Sequence, residues 1–202
     1  VKMVDLYTFV SPYNQSIYIP DGDSTMLIAL NHYLGKEHEV YKGRFEEYQR
    51  QLKEAQYIPY DIVETLLSTT FTYMPTGEET LLNKMLYAGV IVEAKMRLIP
   101  DASLTLALGY NEDQLEWLED NQQKAWEALV SKNLLYSKSY MDIEKLLNPS
   151  PATAILHPEA PGRAGRYFGY KIVKAYLEKN PQTTLSQLLS PNFYNNQQSF
   201  IS

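Results

Sequence analysis

A mainly α, single-domain fold over residues 1–202 is what this sequence predicts, with a short β element over 1–22 and a loosely ordered tail over 192–202. Three observations predict it. A chain of 202 residues and 23.3 kDa has room for one sizeable core and little for a second. Residues of the AVILMFWYC set make up 45% and charged residues 21%, without a low-complexity tract, so the chain can bury enough apolar surface to fold. Apolar residues recur at helical steps through most of the length, whereas β-favouring runs are confined to the start.

The elements follow in order. Residues 4–10 and 16–19 are short β-favouring runs around Ser11-Pro12-Tyr13-Asn14-Gln15, the pattern of a hairpin. Asp23 or Ser24 then caps a helix through Leu34, closed by Gly35. Across 37–55, Tyr41, Phe45, Tyr48 and Leu52 mark a surface helix with a narrow apolar stripe. Over 60–74 the pattern inverts, with Glu64 among Ile62, Val63, Leu66, Leu67 and Phe71, which predicts a central buried helix broken by Pro75-Thr76-Gly77. Residues 79–98 are helical with Glu93 inside the apolar stripe, and Asn111 caps one long helix with Gln114 at the capping-box position. Residues 140–147 form a shorter helix, the prolines at 149, 151, 158 and 161 impose an irregular crossing, and a long helix runs from Pro161 to Lys179. Thr183 or Thr184 caps a last helix through Leu189.

Composition excludes several function classes. A net charge of −6 and a pI near 5.1 lack the basic footprint that nucleic acid or an anionic bilayer requires. With no cysteine, disulfides, thiolate zinc sites and cysteine nucleophiles are impossible within the chain. No apolar stretch reaches the roughly 18 residues of a spanning helix. The sequence opens on Val1 without a basic and then apolar segment, and a signal missing from the numbered residues is no evidence for the cytoplasm. The histidines, His32, His38 and His157, include no pair at the i, i+4 spacing of a helical zinc site, so neither metal nor cofactor is expected.

Two constellations carry charge into apolar surroundings. Glu64 and Glu93 each sit on an apolar helix face, where an unpaired carboxylate costs several kcal/mol or protonates. A structural ion pair and a pocket acid or base both account for them. The second is Pro161-Gly162-Arg163-Ala164-Gly165-Arg166-Tyr167-Phe168-Gly169-Tyr170, whose Gly162, Gly165 and Gly169 bare one helix side for close approach. Arg163 and Arg166 fall in the first turns, where the helix dipole disfavours cations, so Glu64 and Glu93 are their candidate partners. Tyr167 and Tyr170 complete the candidate binding set.

Leu30-Asn31-His32-Tyr33-Leu34-Gly35, residues 81–89, residues 109–126, Leu134-Leu135-Tyr136-Ser137 and, above all, the run from Pro161 to Val173 together resemble the gliding-motility lipoprotein GldB family of the Bacteroidota. The resemblance implies export to the cell envelope, periplasmic or at the outer membrane, with acylation on a cysteine preceding Val1. It also implies a distant similarity to zinc metallopeptidase-like proteins with an HExxH helix, hence a degenerate zincin-like core. Laid on that scheme, Glu64 takes the glutamate position, Val63 and Leu67 the two histidine positions, and Ala88 before Gly89 the third-ligand position; none of these three replacements can coordinate zinc.

The expected function is therefore a non-catalytic pseudoenzyme: an envelope lipoprotein acting as a binding or assembly component. Its cleft residues Glu64, Glu93, Arg163, Arg166, Tyr167 and Tyr170 would hold an envelope protein or peptide, with no nucleic acid and membrane contact only through the upstream anchor. The alternative is a metallopeptidase-like hydrolase with Glu64 as general base and a non-standard metal site.

Overall fold

A computed structural model describes residues 4–20 and 25–196. Among them the chain is mainly α, as the sequence predicts, with a small three-stranded sheet. It gathers into two compact units, residues 1–66 and 67–202.

In the first unit, β1 (Asp5–Phe9), β2 (Ile17–Tyr18) and β3 (Thr25–Ala29) form a sheet in the order β1-β3-β2. The expected hairpin is not formed, because β1 and β2 do not pair with each other. Both pair with β3, β1 in parallel with Leu6 opposite Met26, and β2 antiparallel with Ile17 opposite Ile28. The helix expected to run through Leu34 is likewise replaced by β3 and a single 3-10 turn at Leu30–His32. Met26, Leu27 and Ala29 favour a helix locally, but a strand hydrogen-bonded on both edges satisfies their backbone and buries Met26, Ile28 and Ala29. The proposed caps Asp23 and Ser24 lie outside the described residues.

The surface helix expected over 37–55 is also absent. Gly43 adopts φ +71°, outside helical space, and leaves a 3-10 turn at Glu39–Tyr41, the single-turn helix α1 (Glu47–Arg50) and another 3-10 turn at Ala55–Tyr57. The apolar positions serve a different purpose: Tyr41 is fully buried and meets Phe45 and Tyr13 edge-on at 5.7 and 6.2 Å. Helix α2 (Ile58–Thr70) then carries the chain out of the first unit. It is shorter and less buried than expected: residues 61–66 are half-buried and 68–70 exposed. Its end is chemical, since Thr72 Oγ1 donates to the carbonyls of Ser68 and Thr69, at 3.3 Å each, and Pro75 follows.

The second unit is built on α3 (Leu81–Leu98), capped by Thr80 in a reciprocal capping box with Asn83 and buried along most of its length. A short helix missed by the sequence reading, α4 (Leu104–Leu108), ends on Gly109 at φ +74°. The single long helix expected after Asn111 breaks at Asn121 into α5 (Glu112–Asp120) and α6 (Gln122–Ser131). There Asn121 Nδ2 donates to the Trp117 carbonyl at 2.9 Å and the backbone leaves helical geometry. Helix α7 (Tyr140–Leu147) forms where expected, capped by Ser139.

The proline-rich crossing is irregular and pinned by Thr153, whose N–H donates to the Ala160 carbonyl at 2.7 Å. Helix α8 (Ala164–Lys179) begins three residues later than expected, leaving Pro161 in a β-bridge with Ala152 rather than in a first turn. Helices α9 (Leu185–Leu188), capped by Thr184, and α10 (Pro191–Asn195) close the unit. Of the tail expected to be loose from 192, residues 192–195 lie in α10, and 197–202 lie outside the described residues. Tyr194 is buried against Leu82 and Leu86, and its hydroxyl accepts from the Met74 N–H at 3.0 Å. No described helix is long and apolar enough to cross a membrane.

Candidate functional site

Helices α3 and α8 meet backbone to backbone, and this contact positions most of the candidate residues. A Cβ on Gly89 would lie 2.2 Å from the Gly169 carbonyl carbon, and one on Gly169 would lie 1.9 Å from the Met85 carbonyl oxygen. Only glycine fits either position. The other two motif glycines are equally constrained: a Cβ on Gly162 would fall 1.9 Å from the Ser150 carbonyl oxygen, and one on Gly165 2.8 Å from that of Leu146. Gly162 precedes the helix rather than sharing its face, so the motif is a packing seam that runs from the crossing loop into α8.

One turn beyond Gly89, Glu93 is buried and ionically satisfied. Its Oε1 takes the Arg97 Nε–H at 2.7 Å, from one turn further along α3, and its Oε2 lies 4.0 Å from Lys174 Nζ on α8. Arg97 and Lys174 therefore meet this carboxylate. Arg97 stands at the i+4 spacing that the sequence displays; Lys174 becomes a neighbour only through the α3–α8 crossing. Tyr170, also buried, has its hydroxyl pushed up by burial and next by the charge of Glu93.

At the start of α8, Arg163 adopts φ +64°, a conformation costly for a side-chain-bearing residue by about 1–3 kcal/mol. It is held there from several sides. Arg163 Nη2 donates to the Gly109 carbonyl at 2.8 Å, and Tyr110 Oη donates to the Gly162 carbonyl at 3.0 Å. Thr153 Oγ1 donates to the Pro161 carbonyl at 2.7 Å and accepts the Ala164 N–H at 3.1 Å, doing for α8 what an N-cap side chain does. Burial pushes the Tyr110 hydroxyl up, while the positive charges of Arg163 and Arg166 pull it the other way. Tyr167 is buried, donates to Gln122 Oε1 at 2.8 Å, and is pushed up to about 12 by burial and then by Glu119.

Glu64 lies half-buried on α2 in the first unit, and neither it nor Arg166 is a free charge. The second unit thus brings Glu93 together with Tyr170, and Arg163 together with Arg166 around Tyr110, while Tyr167 faces Gln122. Tyr110, Thr153, Arg97 and Lys174 were missed by the sequence reading. Tyr110 and Thr153 gave no periodic or motif signal, because their partners are main-chain carbonyls distant in sequence.

A second polar cluster, in the first unit, is also invisible from sequence spacing. Asn31 brackets Ser11, accepting its N–H at 3.0 Å and donating to its carbonyl at 2.9 Å. Buried His32 places Nε2 3.0 Å from Ser11 Oγ and Nδ1 2.9 Å from Lys53 Nζ. An ammonium donates to Nδ1, so the ring proton sits on Nε2 and Ser11 Oγ accepts it. That polarity is the reverse of a serine nucleophile activated by histidine. Burial, and then Lys53, lower the His32 pKa to about 4.

Fold and site together define a mainly α protein in which Glu93, Arg163 and Tyr167 hold its own elements in place. Among the described residues no group of three or more His, Cys, Asp or Glu side chains is arranged to hold a metal ion. The family is given by comparison: a family model for gliding motility protein GldB matches residues 1–200, so the chain belongs to the GldB family, lipoproteins of the cell envelope at family level. No curated protein and no solved structure matches the chain.

Proposed function

We propose that the protein is a non-catalytic binding or assembly component of the cell envelope, related to the gliding machinery and held by a lipid anchor upstream of Val1 on the periplasmic side of a membrane. The observation that carries this reading is the match to gliding motility protein GldB over residues 1–200, nearly the whole chain. The chemistry of the site supports it. The most distinctive motif of the sequence spends its glycines on backbone contact and Arg163 on a main-chain carbonyl, and Glu93 is neutralised by Arg97 and Lys174. The positions that would carry zinc ligands in an HExxH scheme hold Val63, Leu67 and Ala88.

The test separates binding from catalysis. A host strain lacking the gene is complemented with the wild type and with Glu64→Gln, which keeps shape and one acceptor oxygen but removes a general base. Full complementation of the spreading or envelope phenotype by Glu64→Gln is the expected result. Loss of complementation by a variant that is stably produced and correctly localised would favour the hydrolase.

A further inference from the structure

The order β1-β3-β2 makes β1 an edge strand, and among the described residues no main-chain group outside β3 is hydrogen-bonded to Asp5–Phe9. Edge strands are usually blunted by lysine, proline, a bulge or extreme shortness. β1 has none of these: it is five residues long, and Asp5 is its one charge. Its side chains are unusually open as well, Leu6 and Tyr7 being 58% and 57% exposed, with Val10 just beyond at 80%. Consecutive strand residues point to opposite faces, so apolar surface is offered on both sides of an unpaired hydrogen-bonding row.

The strand is fixed rather than frayed. Immediately after it, Ser11 is clasped through its own backbone by the Asn31 side chain and through Oγ by His32, which Lys53 orients in turn. Pre-organisation of this kind lowers the entropic cost of strand addition. Charge then selects the occupant. Asp5 is the one charge of β1, and the chain carries a net charge of −6. A second copy would bring like charge to like, and two five-residue strands meeting edge to edge bury well under the roughly 1,200 Å² of a stable interface.

We propose that the outer edge of β1 receives an extended, apolar, basic-flanked segment of a partner protein as an added strand. Main-chain hydrogen bonds supply the affinity, Leu6, Tyr7 and Val10 supply the apolar contacts, and basic flanks are favoured by Asp5 and by the net negative charge of the chain. This names the partner class for the binding reading above and rests on it for its biological sense. The outcomes are separable: failed peptide binding leaves the Glu64→Gln complementation untouched, and the reverse also holds.

The test uses the purified full chain and a fluorescein-labelled peptide, Lys-Lys-Val-Thr-Val-Thr-Val-Lys-Lys, followed by anisotropy and by amide hydrogen exchange over residues 5–9. Saturable binding with added protection at alternate β1 amides is expected. Glutamate flanks, or proline at the centre of the peptide, should each weaken binding by about tenfold or more. Replacing Leu6 and Tyr7 together by lysine, in a chain whose circular dichroism is unchanged, should do the same. Binding without β1 protection, equal affinity for the proline-interrupted peptide, absence of saturable binding, or a concentration-dependent dimer that protects β1 without peptide would each overturn the proposal.

Discussion

The two units are held together by opposite means. In the second, α3 and α8 touch through bare backbone at Gly89 and Gly169, where there is no room for one methyl group. In the first, the strands are secured by polar side chains: Ser11, Asn31, His32 and Lys53 in one chain, and Tyr33 donating to Asp61 at 2.7 Å. A steric seam is indifferent to pH and intolerant of volume. A buried polar chain tolerates small changes in volume but depends on which groups carry protons. The two regions should therefore fail under different challenges.

The largest effect is expected at the seam. Gly169→Val forces a branched side chain into the Met85 carbonyl, and no rotamer relieves a clash that begins at Cβ. Overpacking in a core that can yield costs about 1–3 kcal/mol, and against rigid backbone more, so the cooperative urea transition should be lost or shifted by over about 3 kcal/mol. A shift under about 1 kcal/mol would mean that α3 and α8 do not make this approach.

Next comes acid sensitivity of the first unit. The folded His32 pKa is depressed to about 4 from an ordinary 6.5, so between these values the unfolded chain binds a proton that the folded chain refuses. Stability contributed by neutral His32 is complete above pH 6.5 and is lost as pH falls toward 4, by about 2–3 kcal/mol in all. Urea melts from pH 7 to 4 should show this loss, and His32→Gln should flatten it. An unchanged acid limb in that variant would assign the loss to other groups.

The smallest effect sharpens the contrast within the second unit. Lys174 lies 4.0 Å from Glu93 and is partly exposed, whereas Arg97 donates a close hydrogen bond. Lys174→Ala should cost about 0.5 kcal/mol or less, and Arg97→Ala about 1–2 kcal/mol because it strips a buried carboxylate of its nearest donor. Equal losses in paired urea melts would show that the carboxylate is shared evenly.

Legibility followed the same division. Helices α3, α7 and α8 were readable because their stripes are local; the Ser139 cap of α7 and the i, i+4 pair of Glu93 with Arg97 are equally local but were not read. The glycines of the 162–169 motif were readable as a close-approach surface, though not as three separate backbone contacts with different partners. The N-terminal unit was misread where it mattered most. Residues 25–34 favour a helix locally, and nothing in their spacing reveals that two other strands wait on either side. The aromatic stripe of 41–52 has helical spacing, yet Gly43 turns the chain and Tyr41 enters a core, donating to the Asn31 carbonyl at 2.7 Å.

By itself the sequence determined the helical class, the caps of α5 and α9, the family and the close-approach glycines of the 162–169 motif, because each depends on residues within a few steps of one another or on a pattern kept along the chain. The tertiary structure decided which cations meet Glu93, that His32 is neutral, and that among the described residues only β3 pairs with β1. Those outcomes depend on distances between residues far apart in sequence, and burial then converts such distances into protonation states and bonding partners.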